Sequence, residues 1–260
     1  MFVLDICQNL GAKTLRLSNS VGRFGLFVVK AIIGIIRPPY DVKMIMQQML
    51  NIGFYSLPVV GMTAIFSGAV LALQSYSGFA RFSAESSIAT VVVLSITREL
   101  GPVLAGLMVA GRVGASIAAE IGTMRVTEQI DALFTLSTDP IKYLVSPRVL
   151  AAAVTLPVLV FIGDIIGVMG GYMVSVHKLD FNSANYIINT FKYLEQIDVV
   201  SGLVKAFVFG IIISTMSCYS GYNSDKGARG VGDATTMAVV NSSILILLSN
   251  YLITELFFSK

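Results

Sequence analysis

Five ionisable side chains stand where the surrounding sequence is apolar. Arg98, Glu99 and Arg112 lie within the run from Ile88 to Ala119, Asp164 in VFIGDIIGVMGG, and Lys205 in the stretch 201–220. In hydrocarbon such groups are costly; they usually face protein or a wet cavity and mark a path or a site. Two chemistries suit these residue types. A guanidinium can hold a phosphate through charge-assisted hydrogen bonds, whereas Arg98, Glu99 and Asp164 together could relay charge across a membrane. Adjacent helical residues diverge by about 100°, so Arg98 and Glu99 do not face each other and each needs a partner on another helix. Lys205 and Asp164 could supply such partners. Both a shared polar cavity and separate ion pairs fit the pattern. Arg112, near the other end of its run, reads as structural, with a stem long enough to reach the headgroups.

Enzyme chemistries find little support. There is no G-x-x-x-x-G-K-[ST] loop to cradle ATP phosphates. The sole histidine, His177, falls in a connecting loop, and Cys7 and Cys218 lack the C-x-x-C spacing of a metal or redox pair. Residues 230–233, GVGD, match the G-x-G-D of intramembrane aspartyl proteases, with Asp164 as a second carboxylate. Asp233 precedes an apolar run, however, where an aspartate serves as a helix cap.

The elements that must carry these residues are membrane helices. Of 260 residues, 55% are hydrophobic and 13% charged, with mean hydropathy +0.80; soluble domains carry about 25% charge. The chain reads as one all-α polytopic membrane domain, 1–260, with a cytoplasmic or interfacial segment 1–53 and five spans within 54–257. The spans are expected at 54–75, 88–119, 149–175, 201–220 and 234–257. Residues 24–36 form an apolar run of 13 broken by Lys30, too short to cross about 30 Å, and predict a helix lying in the interface. With the N-terminus cytoplasmic, eleven Lys and Arg fall inside and four outside, which orients the C-terminus outward.

Residues 88–119 would form a helix about 48 Å long, with Gly101-Pro102 as an expected kink. Small residues recur at Gly106, Ala110, Gly114 and Ala118, with a second row at Gly111, Ala115 and Ala119; either row suits close helix packing, within one chain or between two copies. Beyond this run, EIGTMRVTEQIDALFTLS predicts a short amphipathic helix. Its apolar face is Ile121, Met124, Ile130, Leu133 and Phe134, with Glu120, Arg125, Glu128 and Asp131 interleaved.

The stretch TRELGPVLAGLMVAGRVGASIAAEIGTMRVTEQIDAL resembles the MlaE/YrbE family of permeases, the membrane subunits of ABC transporters that move phospholipids between bacterial inner and outer membranes. The similarity continues through DPIKYLVSPRVLA, LPVLVFIGDIIGVMGG and GYNSDKGARGVGDATTMAVVNSS, from about residue 20 to the end. R-E-L-G-P and E-I-G-x-M-R-x-T-E-Q-I are long and specific.

The resemblance implies a homodimer in the inner membrane, with five spans after an interfacial helix. It implies a coupling helix at about 120–134, where Glu120, Arg125, Glu128 and Asp131 meet a cytoplasmic ATPase that holds the ATP and Mg. It places Arg98 and Glu99 by a lipid cavity and Tyr76 and Phe82 near its outer mouth. The implied partners are that ATPase, a periplasmic MCE-type lipid-binding protein and phospholipid. No cofactor bound by the chain itself and no nucleic acid are expected. An ion-coupled secondary transporter of an amphipathic substrate, using Arg98, Glu99 and Asp164, is the alternative, and a non-transporting scaffold the third class.

Overall fold

In lipid a backbone with no water to bond must satisfy itself, so long apolar runs become helices. The computed structural model describes residues 2–38, 41–79 and 87–259, with side chains from Leu15 onward except at 16, 17 and 20. Among these residues it contains helices and no strand. Five helical segments are long and apolar enough to cross a membrane, and the protein is a multi-pass membrane protein.

The chain opens with α1 (Phe2–Ile36), a continuous helix well beyond the thirteen-residue run read from sequence. It turns Phe27 and Ala31 inward, while Leu26, Val29, Ile33 and Ile36 stay exposed. The Phe27 ring meets Tyr219 edge-on at 5.4 Å, and Ser146 donates to the Ala31 carbonyl at 3.1 Å. Next come α2 (Val42–Ile52), whose N-terminus is capped by the Asp41 carboxylate, and α3 (Leu57–Phe79). They make up the first of these segments, Val42–Phe79, within which the 23 residues of α3 are by themselves long enough to cross the core.

The second segment, Ile88–Val126, is one rod in five pieces: α4 (Ile88–Ser95), a π-turn at Ile96–Leu100, α5 (Gly101–Val109), a second π-turn at Ala110–Gly114, and α6 (Ala115–Val126). Pro102 thus sits in the first turn of α5, directly after a π-turn, where its missing N–H is accommodated. After α7 (Gln129–Thr135), a third π-turn at Ile141–Val145 leads into α8 (Ser146–His177). A short α9 (Ser183–Lys192) links α8 to α10 (Gln196–Tyr222), and α11 (Gly227–Phe258) closes the bundle. The α7 and α9 connections lie at opposite ends of the spans they join.

Close packing rests on small residues, as expected where the hydrophobic effect cannot drive helices together. A Cβ on Gly68 of α3 would strike the Gly167 carbonyl of α8, and one on Gly210 of α10 would crowd the Ala152 carbonyl of α8. The first small-residue row packs within the chain: Gly106 lies against Phe209, Gly114 against Ser217 and Ile213, and Ala110 and Ala118 are fully buried. The second row differs, for Gly111 has open space beside it. Asp233 does not cap a helix. It lies seven residues inside α11, which begins after Lys226.

Candidate functional site

The first π-turn fixes the site. A π-turn inserts one residue into a helix and frequently marks function. Here it carries Ile96-Thr97-Arg98-Glu99-Leu100, and Pro102 follows. In an α-helix the residue-102 amide would bond the carbonyl of residue 98; proline has none to give. Lys205 of α10 fills that role, its Nζ donating to the Arg98 carbonyl at 2.7 Å. The same ammonium reaches Glu99 Oε1 at 2.8 Å and is fully buried. One lysine therefore satisfies an orphaned backbone acceptor and neutralises a carboxylate.

Glu99 gains two further donors from α11. Thr254 Oγ1 donates to Oε1 at 2.9 Å and Asn250 Nδ2 to Oε2 at 2.8 Å. These neutral bonds are the weaker contributors, since interhelical hydrogen bonds in membranes average about 0.6 kcal/mol. Arg98 turns the other way. Its Nε donates to Asp198 Oδ1 at 2.7 Å, and its guanidinium carbon sits 4.5 Å from the Phe258 ring centroid. Asp198 is fully buried, and its Oδ2 accepts the Glu195 amide, closing a capping box at the start of α10. Two cations and two anions thus balance. Arg98 keeps 34% of its side chain exposed, with Nε its only protein-bonded nitrogen among the described residues.

Of the residues singled out in the sequence, Arg98, Glu99 and Lys205 come together. Asp164 does not join them. It is buried in α8 with Oδ1 unpartnered and packs on Gly101, where any Cβ would collide with its carboxylate. Tyr76 belongs to a separate cluster with Phe181, whose ring centroid is 5.9 Å away. Phe82 lies outside the described residues. Sequence reasoning missed Asp198, Asn250 and Thr254. Asp198 and Lys205 stand seven apart, two helical turns on one face, which is the spacing that meets adjacent charges on a crossing helix.

The amphipathic segment differs from its expected form. The helix breaks at Thr127 and at Glu128, whose φ of 60° is left-handed, so 120–126 completes the second spanning segment and α7 alone forms the short helix. Glu120 is paired within the chain, because Arg148, buried at the start of α8, binds its carboxylate at 2.9 Å, while more than half of the Glu120 side chain stays exposed. Arg125 pairs with Asp131 at 2.8 Å and so ties α6 to α7. Ile130 is buried, but Phe134 is exposed rather than on the packed face, as is Leu136. Arg112 is bonded within the chain through one nitrogen: its Nη1 donates to Ser56 Oγ at 2.7 Å and to the Asn51 carbonyl at 3.3 Å.

The family model described as Permease MlaE matches residues 45–256. A "Probable ABC transporter permease protein" of Rickettsia bellii is 73% identical over 256 residues, covering 98% of this chain and 99% of the relative. A protein of the same description from Synechocystis is 42% identical over 213 residues, 82% of this chain and 81% of the relative. The "Intermembrane phospholipid transport system permease protein MlaE" of Haemophilus influenzae is 31% identical over 259 residues, 98% of both chains.

Proposed function

We propose a mechanism from one premise: the chain belongs to the MlaE permease family and is the permease subunit of an ABC transporter. Its substrate is phospholipid, moved between the inner and outer membranes. Two copies assemble in the inner membrane with the N-terminus cytoplasmic and the C-terminus periplasmic. A cytoplasmic ATPase supplies ATP, Mg and hydrolysis, and a periplasmic MCE-type protein exchanges lipid with the α9 end.

The observation that carries this reading is the half-open Arg98. Asp198 anchors it through Nε and Phe258 shields one face, leaving its remaining N–H groups free for a lipid phosphate. A guanidinium presents such donors in a planar fork suited to phosphate oxygens. Glu99 does not compete for them, because Lys205, Thr254 and Asn250 occupy its oxygens. Its role is to hold the π-turn against α10 and α11. At the other end, α7 with Glu128, Asp131, Phe134 and Leu136 meets the ATPase. The Arg125–Asp131 and Glu120–Arg148 pairs carry its displacement into α6 and α8.

Purification from native membranes in mild detergent, followed by mass spectrometry, tests this assembly. An ATPase subunit, a periplasmic lipid-binding subunit and phospholipid are expected in fixed ratio. Transport that persists without the ATPase and collapses with the proton gradient would overturn it in favour of an ion-coupled carrier.

A further inference from the structure

The second π-turn repeats the first with one difference. Arg98 is the third residue of Ile96–Leu100, and Arg112 is the third residue of Ala110–Gly114. Fourteen residues place the two about 21 Å apart along one rod. Arg98 faces the Asp198 carboxylate. Among the described residues Arg112 has only neutral acceptors, the Asn51 carbonyl and the Ser56 hydroxyl, and both bonds use Nη1. Its side chain is exposed, and among the described residues no acidic partner approaches it.

A cavity of about 390 Å³ opens beside this guanidinium, lined by Gln48, Asn51, Tyr55, Arg112, Ser116 and Glu120 among others. Glu120 is the one acid there, and the buried Arg148 already neutralises it. The cavity therefore carries the positive charge of Arg112 surrounded by neutral amides and hydroxyls. Its level in the membrane follows from α3. Leu57 begins a 23-residue helix about 34 Å long, close to the thickness of the hydrocarbon core, so Asn51–Ser56 and the Arg112 they hold lie at its boundary on the α7 side. That is the depth of a lipid headgroup, and an exposed cation there is satisfied most simply by a phosphodiester.

We infer that Arg112, with Gln48, Asn51, Tyr55 and Ser116, forms a second phospholipid-headgroup site at the α7 side of the membrane, separate from the Arg98 site. The inference rests on the lipid-permease reading and adds to it a station for lipid of the leaflet nearest the ATPase.

The test uses the assembled transporter in mild detergent, with phosphatidylglycerol bearing a photoreactive group on its glycerol head. The wild type is expected to crosslink at peptides spanning residues 48–55. Arg112→Gln should lower that yield about tenfold, the scale of a lost charge-assisted contact; Arg98→Gln should leave it unchanged. Ser56→Asp keeps Arg112 but gives it a carboxylate, and should lower the yield comparably even if Arg112→Gln fails to assemble. Wild-type yield in Ser56→Asp, or in an assembled Arg112→Gln, overturns the proposal. Competition by inorganic phosphate at the same concentration as the lipid would show a soluble-anion site and also overturn it. Absence of phospholipid crosslinking anywhere in the wild type would instead defeat the permease reading itself.

Discussion

The two π-turns of the second spanning segment share a backbone solution and differ in how their charge is met. At Ile96–Leu100, two cations and two anions close on one another between the second segment and α10: Arg98 with Asp198, and Glu99 with Lys205. At Ala110–Gly114, Arg112 holds only a carbonyl and a hydroxyl among the described residues. A π-turn alone therefore does not define a site. The first turn is a neutral, cross-braced frame from which Arg98 reaches out, whereas the second leaves an exposed cation with neutral acceptors among the described residues. The glycines differ as well. Gly101, beside the first turn, is pressed against Asp164, and Gly111, inside the second, has open space.

The most damaging way to break this contrast is Lys205→Met, which strands Glu99 and the Arg98 carbonyl together. Removing one partner of a buried ion pair costs about 3–5 kcal/mol, and the low end applies because Glu99 is 39% exposed. The purified complex should unfold or dissociate at a distinctly lower temperature; an unchanged thermal midpoint would show that the pair does not brace the turn. Gly101→Ala comes next. Its methyl must displace the Asp164 carboxylate, a cost of about 1–3 kcal/mol typical of overpacking. Thr254→Val trims a neutral donor from Glu99 and should cost about 0.6 kcal/mol in the same melting assay. Gly111→Ala, with nothing beside it, should change stability by less than about 0.5 kcal/mol. A large loss at Gly111 would reveal that its row is covered by a second copy.

Much of the fold was legible because hydropathy and membrane thickness leave few choices: the five expected spans correspond to the five helical segments, each extended at one or both ends. Charges in apolar surroundings led directly to Arg98, Glu99 and Lys205, since hydrocarbon makes every such residue conspicuous. Asn250 and Thr254 escaped notice because neutral polar side chains are ordinary in membrane helices. Asp198 lies just before the expected span at 201–220 and closes a capping box at the start of α10; its pairing with Arg98 depends on the crossing of α10 over the π-turn. The π-turns themselves leave only a faint trace. Arg98 is followed by Gly101-Pro102 and Arg112 by Gly114, but a one-residue insertion has no hydropathy signature. The break at Glu128 was hidden for the same reason: the apolar spacing runs through it, whereas the backbone does not.

The central claim is that Arg98 grips the transported lipid from a frame that does not depend on it. Its most direct test is ATP-driven transfer of labelled phospholipid by proteoliposomes holding the complete transporter, wild type or Arg98→Ala, with ATP hydrolysis recorded in the same vesicles. Loss of a charge-assisted contact worth about 1.5–3 kcal/mol predicts transfer reduced roughly tenfold or more, with ATP hydrolysis and assembly retained. Transfer at the wild-type rate by Arg98→Ala would contradict it.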